Sequence, residues 1–442
     1  MMSTARTPQA LSNTSSEMIA NAARPASSRI GAICVRLANL LTVRRITVHA
    51  SLLAVFLWSA YAIDLAVPGL RDRAGNIKGA DFLHFYTAGA LLRSGDAAAL
   101  YDPTAHAAYQ ETTLPESMGT YFVPMYGPQV YLWFVPLAGL SYGWAALVWA
   151  LLNATVYFGC CYALWHKCAL LRAHGYLVFL LAAAYPGFFS LIAFGQSSAP
   201  ALALFTLAFF AFDARQPFLA GVAIGSLVYK PQLGIAAAVI FLAAAEWKIV
   251  AGAFASFVAQ LGLAWVWFGG KVMHGYGQTF LRLGSAQPFL ESKLYQMHSL
   301  RSFWMLLLPW PRFAVVLYLG SAASVLVLAV MCWRIMDDLR LRYAVLLISS
   351  VLVAPHLWVY DLVVLTPALL LLGDWALQHP SAEVTPKVKV LLYACYALPL
   401  LGPMVRFTRL QLSVLGFTAL LWVLWTLSRR SQQRISQLGH SR

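Results

Sequence analysis

Several short stretches of this 442-residue chain carry side chains that could do chemistry. Asp81 and His84 fall in Asp81-Phe82-Leu83-His84-Phe85-Tyr86, three residues apart and on one face of a helix. A carboxylate there could take a proton as a general base, with the imidazole steering the carboxylate or its substrate. The plain alternative is an aspartate that opens a helix, where its charge suits the macrodipole. Gly195-Gln196-Ser197 interrupts two apolar runs and reads equally as a loop punctuated by glycine. Lys230 precedes Pro231 between two short apolar arms, 218–229 and 231–245. Its ammonium could meet a phosphate below the membrane surface or snorkel to the headgroups. Ala354-Pro355-His356-Leu357-Trp358-Val359-Tyr360-Asp361 places His, Trp, Tyr and Asp between two more apolar runs. His356 and Tyr360, four apart, are expected to share a helical face, and Asp361 to approach His356 only if the helix is distorted. A polar clamp between helices is the other reading. Arg406 and Arg409 occupy a turn between 390–402 and 410–427.

The elements that must hold these groups are set by composition. The chain is 60% hydrophobic and 11% charged, with a mean hydropathy of +0.69. A soluble domain does not need so much apolar surface. Runs such as 46–66, 144–164, 249–268, 313–333 and 410–427 approach the ~20 residues that cross a ~30 Å hydrocarbon core. A membrane barrel would instead show weak alternation. The expectation is an all-α polytopic membrane protein. The net charge of +15 fits Lys and Arg beside anionic lipid heads on the cytoplasmic side. With no basic soluble domain, nucleic acid is not an expected partner. The six cysteines have no metal-site spacing, so no metal or other cofactor is expected.

Residues 1–28, rich in Ala, Ser, Thr and Pro, read as a disordered cytosolic tail. Residues 29–45 read as an amphipathic helix on the inner surface. One transmembrane domain is expected over 46–427, with outer loops at 68–127 and 269–301, and a basic cytosolic tail over 428–442. The charge pattern gives about 12 crossings with both termini inside. The apolar but short, proline-bounded 126–140 and 300–310 read as re-entrant or interfacial. In this topology Asp81, His84, Gln196, Lys230, His298, His356, Tyr360, Asp361, Arg406 and Arg409 all fall on the outer face. Polar groups at membrane depth are costly, so their gathering at one face suggests a site.

The order of these landmarks resembles glycosyltransferase family 87, bacterial membrane enzymes of the GT-C type that use polyprenyl-phosphate sugars. The resemblance rests on Asp81-Phe82-Leu83-His84-Phe85-Tyr86, Ala88-Gly89-Ala90-Leu91-Leu92 and Gly95-Asp96-Ala97-Ala98-Ala99-Leu100-Tyr101-Asp102. It continues through Tyr126-Gly127-Pro128, Pro136-Leu137-Ala138, Gly195-Gln196-Ser197 and Lys230-Pro231-Gln232. Near the end the family often shows Ser-Pro-x-x-Trp-x-His-His. Here Pro355 and Trp358 are kept, while Tyr360 and Asp361 replace the paired His. The resemblance spans roughly 45–375. It implies a GT-C fold and an inverting transfer that needs no metal. Asp81 would be the base and His84 its neighbour in the chemistry. Lys230, Arg406 and Arg409 are candidates for the donor phosphate, by topology. Tyr86, Tyr126, Gln196, His356, Trp358, Tyr360 and Asp361 are candidates for sugar or acceptor. The implied partners are a polyprenyl-phosphate sugar, a glycolipid or polysaccharide acceptor, and membrane lipid. The implied place is the inner (plasma) membrane, with the site on its periplasmic or extracytoplasmic side. Mannose is favoured over arabinofuranose. A multi-pass transporter or flippase is the alternative, against which the chain shows no internal repeat and a large loop over 68–127.

Overall fold

The structure, a computed structural model, describes residues 26–282, 293–381 and 383–440. Helices dominate, and extended pairing is confined to two isolated bridges among the described residues, Arg71 with Ile77 and Met297 with Trp358. Seven helices are long and apolar enough to cross a membrane: Val43–Leu65, Tyr142–Lys167, Trp247–Leu281, Pro311–Ile335, Val359–Gln378, Thr385–Thr408 and Leu412–Arg429. A pair bent by 46°, Leu171–Ala183 and Pro186–Phe194, makes eight if it is one span. The remaining expected crossings are built as shorter apolar helices, Ser198–Asp213, Pro217–Tyr229 and Pro231–Ala243, and as Leu339–Val353. The physical reason is proline: Pro186, Pro217 and Pro231 each open a new helix, because a ring without an N–H suits a helix start and breaks a helix interior.

The outside is apolar. Val55, Phe56, Phe254, Leu263, Trp265, Val266, Trp267 and Val316 are exposed large hydrophobic side chains. A surface of that kind fits lipid and not water. The interior gathers around Leu339–Val353, buried on every side from Tyr343 to Val353, and around the turn and helix of 359–378. Pro217–Gly225 packs against Trp247–Leu281 with the backbones in contact. A Cβ on Gly221 would lie 2.1 Å from the Ile249 carbonyl oxygen, one on Gly225 2.2 Å from that of Ala253, and one on Gly252 2.1 Å from that of Phe218. Small residues permit such an approach between membrane helices.

Several boundaries differ from the sequence expectation. Residues 1–25 of the proposed tail lie outside the described residues. The first helix is Ala26–Leu40, and it packs against Thr385–Ala397. Thr42 then caps a new helix, accepting from the Arg45 N–H at 3.3 Å, so Arg44 and Arg45 belong to the first turn of the first span. The last helix runs on through 428 to His440. The stretch 269–281 is helical, continuing Trp247–Leu281 past a break at Gly269, and 283–292 lie outside the described residues. The stretch 126–140 forms only brief turns, and Leu300–Leu307 is eight residues long, so neither is long enough to span. The helix Phe82–Arg93 is not amphipathic: Phe82 to Leu91 are all buried.

Candidate functional site

Asp81 sits at the start of Phe82–Arg93, and its N–H donates to the Phe194 carbonyl at 3.0 Å. That carbonyl belongs to the last turn of Pro186–Phe194, which Gly195 ends with φ +69°. Glycine is required there twice over. The left-handed backbone disfavours a side chain, and a Cβ would lie 2.7 Å from the Phe82 Cβ. The Trp149 ring N–H fixes the turn by donating to the Gly195 carbonyl at 3.1 Å. Gln196 follows and is thereby aimed at Asp81.

The Gln196 Nε2 donates to Asp81 Oδ2 at 3.0 Å and to the Tyr360 hydroxyl at 3.3 Å. Its Oε1 accepts from the Tyr126 hydroxyl at 3.3 Å, from the Ser197 N–H at 3.1 Å and from Lys230 Nζ at 3.5 Å. Lys230 Nζ also donates to Asp361 Oδ1 at 2.7 Å and to Ser198 Oγ at 2.8 Å, and lies over the Tyr360 ring. Ser198 Oγ donates to the same Asp361 oxygen at 2.7 Å, and the Trp358 N–H donates to Asp361 Oδ2 at 3.2 Å. Lys230 and Asp361 are each 1% exposed. An ion pair so enclosed is tolerated only with its remaining hydrogen-bonding capacity met, as it is here.

Burial pushes the Asp81 carboxyl up to about 6, against the lowering effects of the Gln196 hydrogen bond and the Lys230 charge. The His84 imidazole is buried, packed on Phe85 and stacked on Tyr126 with ring centroids 5.7 Å apart. Burial lowers its pKa to about 3, so it stays neutral near pH 7.

Six of the sequence candidates therefore converge: Asp81, Tyr126, Gln196, Lys230, Tyr360 and Asp361. His84 adjoins them through Tyr126. Trp358 stacks on Tyr360 with the rings parallel to within 1°, and its ring N–H donates to His356 Nε2 at 3.0 Å. The expected helical face shared by His356 and Tyr360 is not formed. Trp358 is extended (φ −91°, ψ 167°), because Met297 pairs with it as a bridge and the His298 N–H donates to the Leu357 carbonyl at 3.0 Å. Asp361 pairs with Lys230. Tyr86 stands apart, donating to the Leu140 carbonyl at 2.9 Å. So does His298, whose Nδ1 meets Ser413 Oγ at 2.7 Å. Arg406 and Arg409 line a separate groove with Leu294, Tyr295, Met305 and Leu308, and Arg406 lies over the Tyr295 ring.

Three contributors carry weaker signals in the sequence. Ser198 is the third member of the ion-pair cluster, and a serine at the start of an apolar helix could have marked it. Buried Arg301 donates to the Pro355 carbonyl at 3.2 Å and so supports the reversal before Trp358. The Lys293 charge reaches Asp81 from a segment remote in sequence. Among the described residues no group of three or more His, Cys, Asp or Glu could hold a metal ion.

A polytopic helical protein with a buried carboxylate, amide and ammonium at the meeting of four segments defines a membrane protein with an internal polar site. The family model of glycosyltransferase family 87 matches residues 124–357, more than half of the chain. The chain belongs to that family and is a membrane glycosyltransferase. No curated protein and no solved structure matches it. The matched stretch contains Tyr126, Gln196, Lys230 and His356. Asp81 precedes it and Trp358, Tyr360 and Asp361 follow it. Hydrogen bonds tie them to it.

Proposed function

We propose that the chain is an inverting glycosyltransferase that moves a sugar from a polyprenyl-phosphate donor to an acceptor hydroxyl, with Asp81 as general base. The observation that carries this is the Asp81 carboxylate itself, half-buried and held by Gln196 at 3.0 Å in a member of this family. The acceptor oxygen attacks the anomeric carbon, its proton passes to Asp81, and the bond from that carbon to the phosphate oxygen breaks. The phosphate leaves as an anion and needs no acid, so one carboxylate suffices. A carboxyl titrating near 6 is ionised at neutral pH yet still basic enough to accept the proton. Trp358, half-buried and stacked on Tyr360, offers a flat apolar face for a sugar ring. Arg406 and Arg409 offer forked donors for the phosphate beside an apolar groove for its tail. Mannose is the favoured sugar and arabinofuranose the other. The acceptor is a glycolipid or polysaccharide at the extracytoplasmic face of the plasma membrane.

The test uses purified full-length chain in lipid–detergent micelles with radiolabelled polyprenyl-phosphate mannose and an envelope lipid extract as acceptor. The near-isosteric Asp81→Asn variant should fold and lose about 10²-fold or more in transfer. Full activity in that variant would remove Asp81 from the role. Movement of intact donor across vesicles without release of its sugar would favour a carrier instead.

A further inference from the structure

The sequence offers Lys230 as a cation for phosphate, but its ammonium is 1% exposed and already holds Asp361 at 2.7 Å and Ser198 at 2.8 Å. A cation so enclosed and neutralised is not open to an incoming anion. Its remaining hydrogen bond runs to Gln196 Oε1. That oxygen also takes the Tyr126 hydroxyl and the Ser197 N–H, so three donors converge on one end of the amide. The other end must then present its N–H groups, and these meet Asp81 Oδ2 at 3.0 Å and the Tyr360 hydroxyl at 3.3 Å. A reversed amide would set a carbonyl oxygen against the Asp81 carboxylate and an NH₂ against an ammonium, both repulsive.

We propose that Lys230, Asp361 and Gln196 are positioning residues: the ion pair locks the Gln196 amide, and the amide holds Asp81 Oδ2 and so orients the carboxylate that takes the acceptor's proton. The proposal rests on Asp81 being the base. Asp361 supplies the counter-charge that lets a lysine stay buried here.

The unit also sets how tightly Asp81 holds its proton. After burial, which raises the carboxyl, come the Gln196 hydrogen bond and the Lys230 charge, which lower it, Asp361, which raises it, and Lys293, which lowers it. The other titratable groups facing Asp81 are the hydroxyls of Tyr126, Tyr142 and Tyr360, with neutral His84 on its own helix.

The experiment is an infrared titration of the Asp81 carboxyl in the purified full-length chain, isolated by subtraction of the Asp81→Asn spectrum. Gln196→Met, which removes the hydrogen bond and no charge, should move the midpoint up by about one pH unit, tenfold in acid dissociation constant. Lys230→Met should also move it up. Combining Lys230→Met with Asp361→Asn should bring it part of the way back, because the repelling carboxylate leaves with the ammonium. Unchanged midpoints in Gln196→Met and Lys230→Met, in folded protein, would overturn the proposal, since a purely structural clamp lowers stability without touching Asp81. Gln196→Met keeps the test alive if Lys230→Met does not fold. The titration needs no transfer activity. A wild-type chain that transfers no sugar would therefore defeat the functional reading while the positioning claim was judged on its own data.

Discussion

Breaking the Lys230–Asp361 pair from one side should cost far more than removing both charges. At 2.7 Å and an effective dielectric constant of about 20, the attraction is roughly 6 kcal/mol. Lys230→Met removes it and leaves a carboxylate at 1% exposure. Asp361 would keep only the Ser198 hydroxyl at 2.7 Å and the Trp358 N–H at 3.2 Å. Those bonds offset part of the loss, and a net destabilisation of about 3–5 kcal/mol follows. In Lys230→Met with Asp361→Asn no buried charge remains; the amide oxygen can accept from the Trp358 N–H while the amide NH₂ donates to the Ser198 hydroxyl, which turns to accept it. The double variant should then lie within about 1–2 kcal/mol of wild type, so the coupling between the two positions is about 2 kcal/mol or more. Unfolding in mixed micelles by titrated denaturing detergent, followed by tryptophan fluorescence, measures all four proteins. The reasoning fails if the double variant loses the sum of the two single losses, or if Lys230→Met loses less than about 1 kcal/mol.

The raised Asp81 carboxyl gives a pH prediction of definite sign. Its folded value of about 6 exceeds the ordinary 3.8, so the folded chain holds that proton more tightly than the unfolded one. The associated stability is present below about 3.8 and is lost as pH rises through about 6. Asp81→Asn should therefore melt higher than wild type at pH 7, with the gap closing toward pH 4; a gap constant across that range would contradict the burial of Asp81 as a charge. Transfer should decline as pH falls through about 6, and activity level down to pH 4 would show that some other group takes the proton. Gly195→Ala should lower stability by about 1–3 kcal/mol and transfer more steeply, from the +69° backbone and the 2.7 Å clash with Phe82; a wild-type rate in that variant would show that Gln196 does not need this turn.

Much of the site could be read before the fold was known. Asp81, Gln196, Lys230 and Asp361 each sit where an apolar run is interrupted, and a membrane makes such interruptions expensive. The expectation that they share one side of the bilayer came from alternation of the charged loops. What alternation cannot supply is pairing. His356 and Tyr360 were expected to share a helical face because they are four apart, yet the Met297–Trp358 bridge holds the chain extended and delivers Asp361 to Lys230. Ser198 carries only the weak signal of a serine opening an apolar helix, because its role depends on that same delivery. Arg406 and Arg409 share that face only in the expected topology, and they line a groove of their own. The expectation of about 12 crossings counted apolar runs, whereas Pro186, Pro217 and Pro231 divide several runs into helices too short to span alone. A short helix satisfies its ends only inside protein, and Leu339–Val353 is buried accordingly.

The seam of Gly221, Gly225 and Gly252 reaches the site through mechanics. Pro217–Gly225 leads directly into the turn Ser226–Tyr229 and so to Lys230. With main chain resting on main chain, that arm has no slack, and one added methyl would displace the ammonium by levering its whole support. Random mutagenesis should thus yield temperature-sensitive alleles at these three glycines.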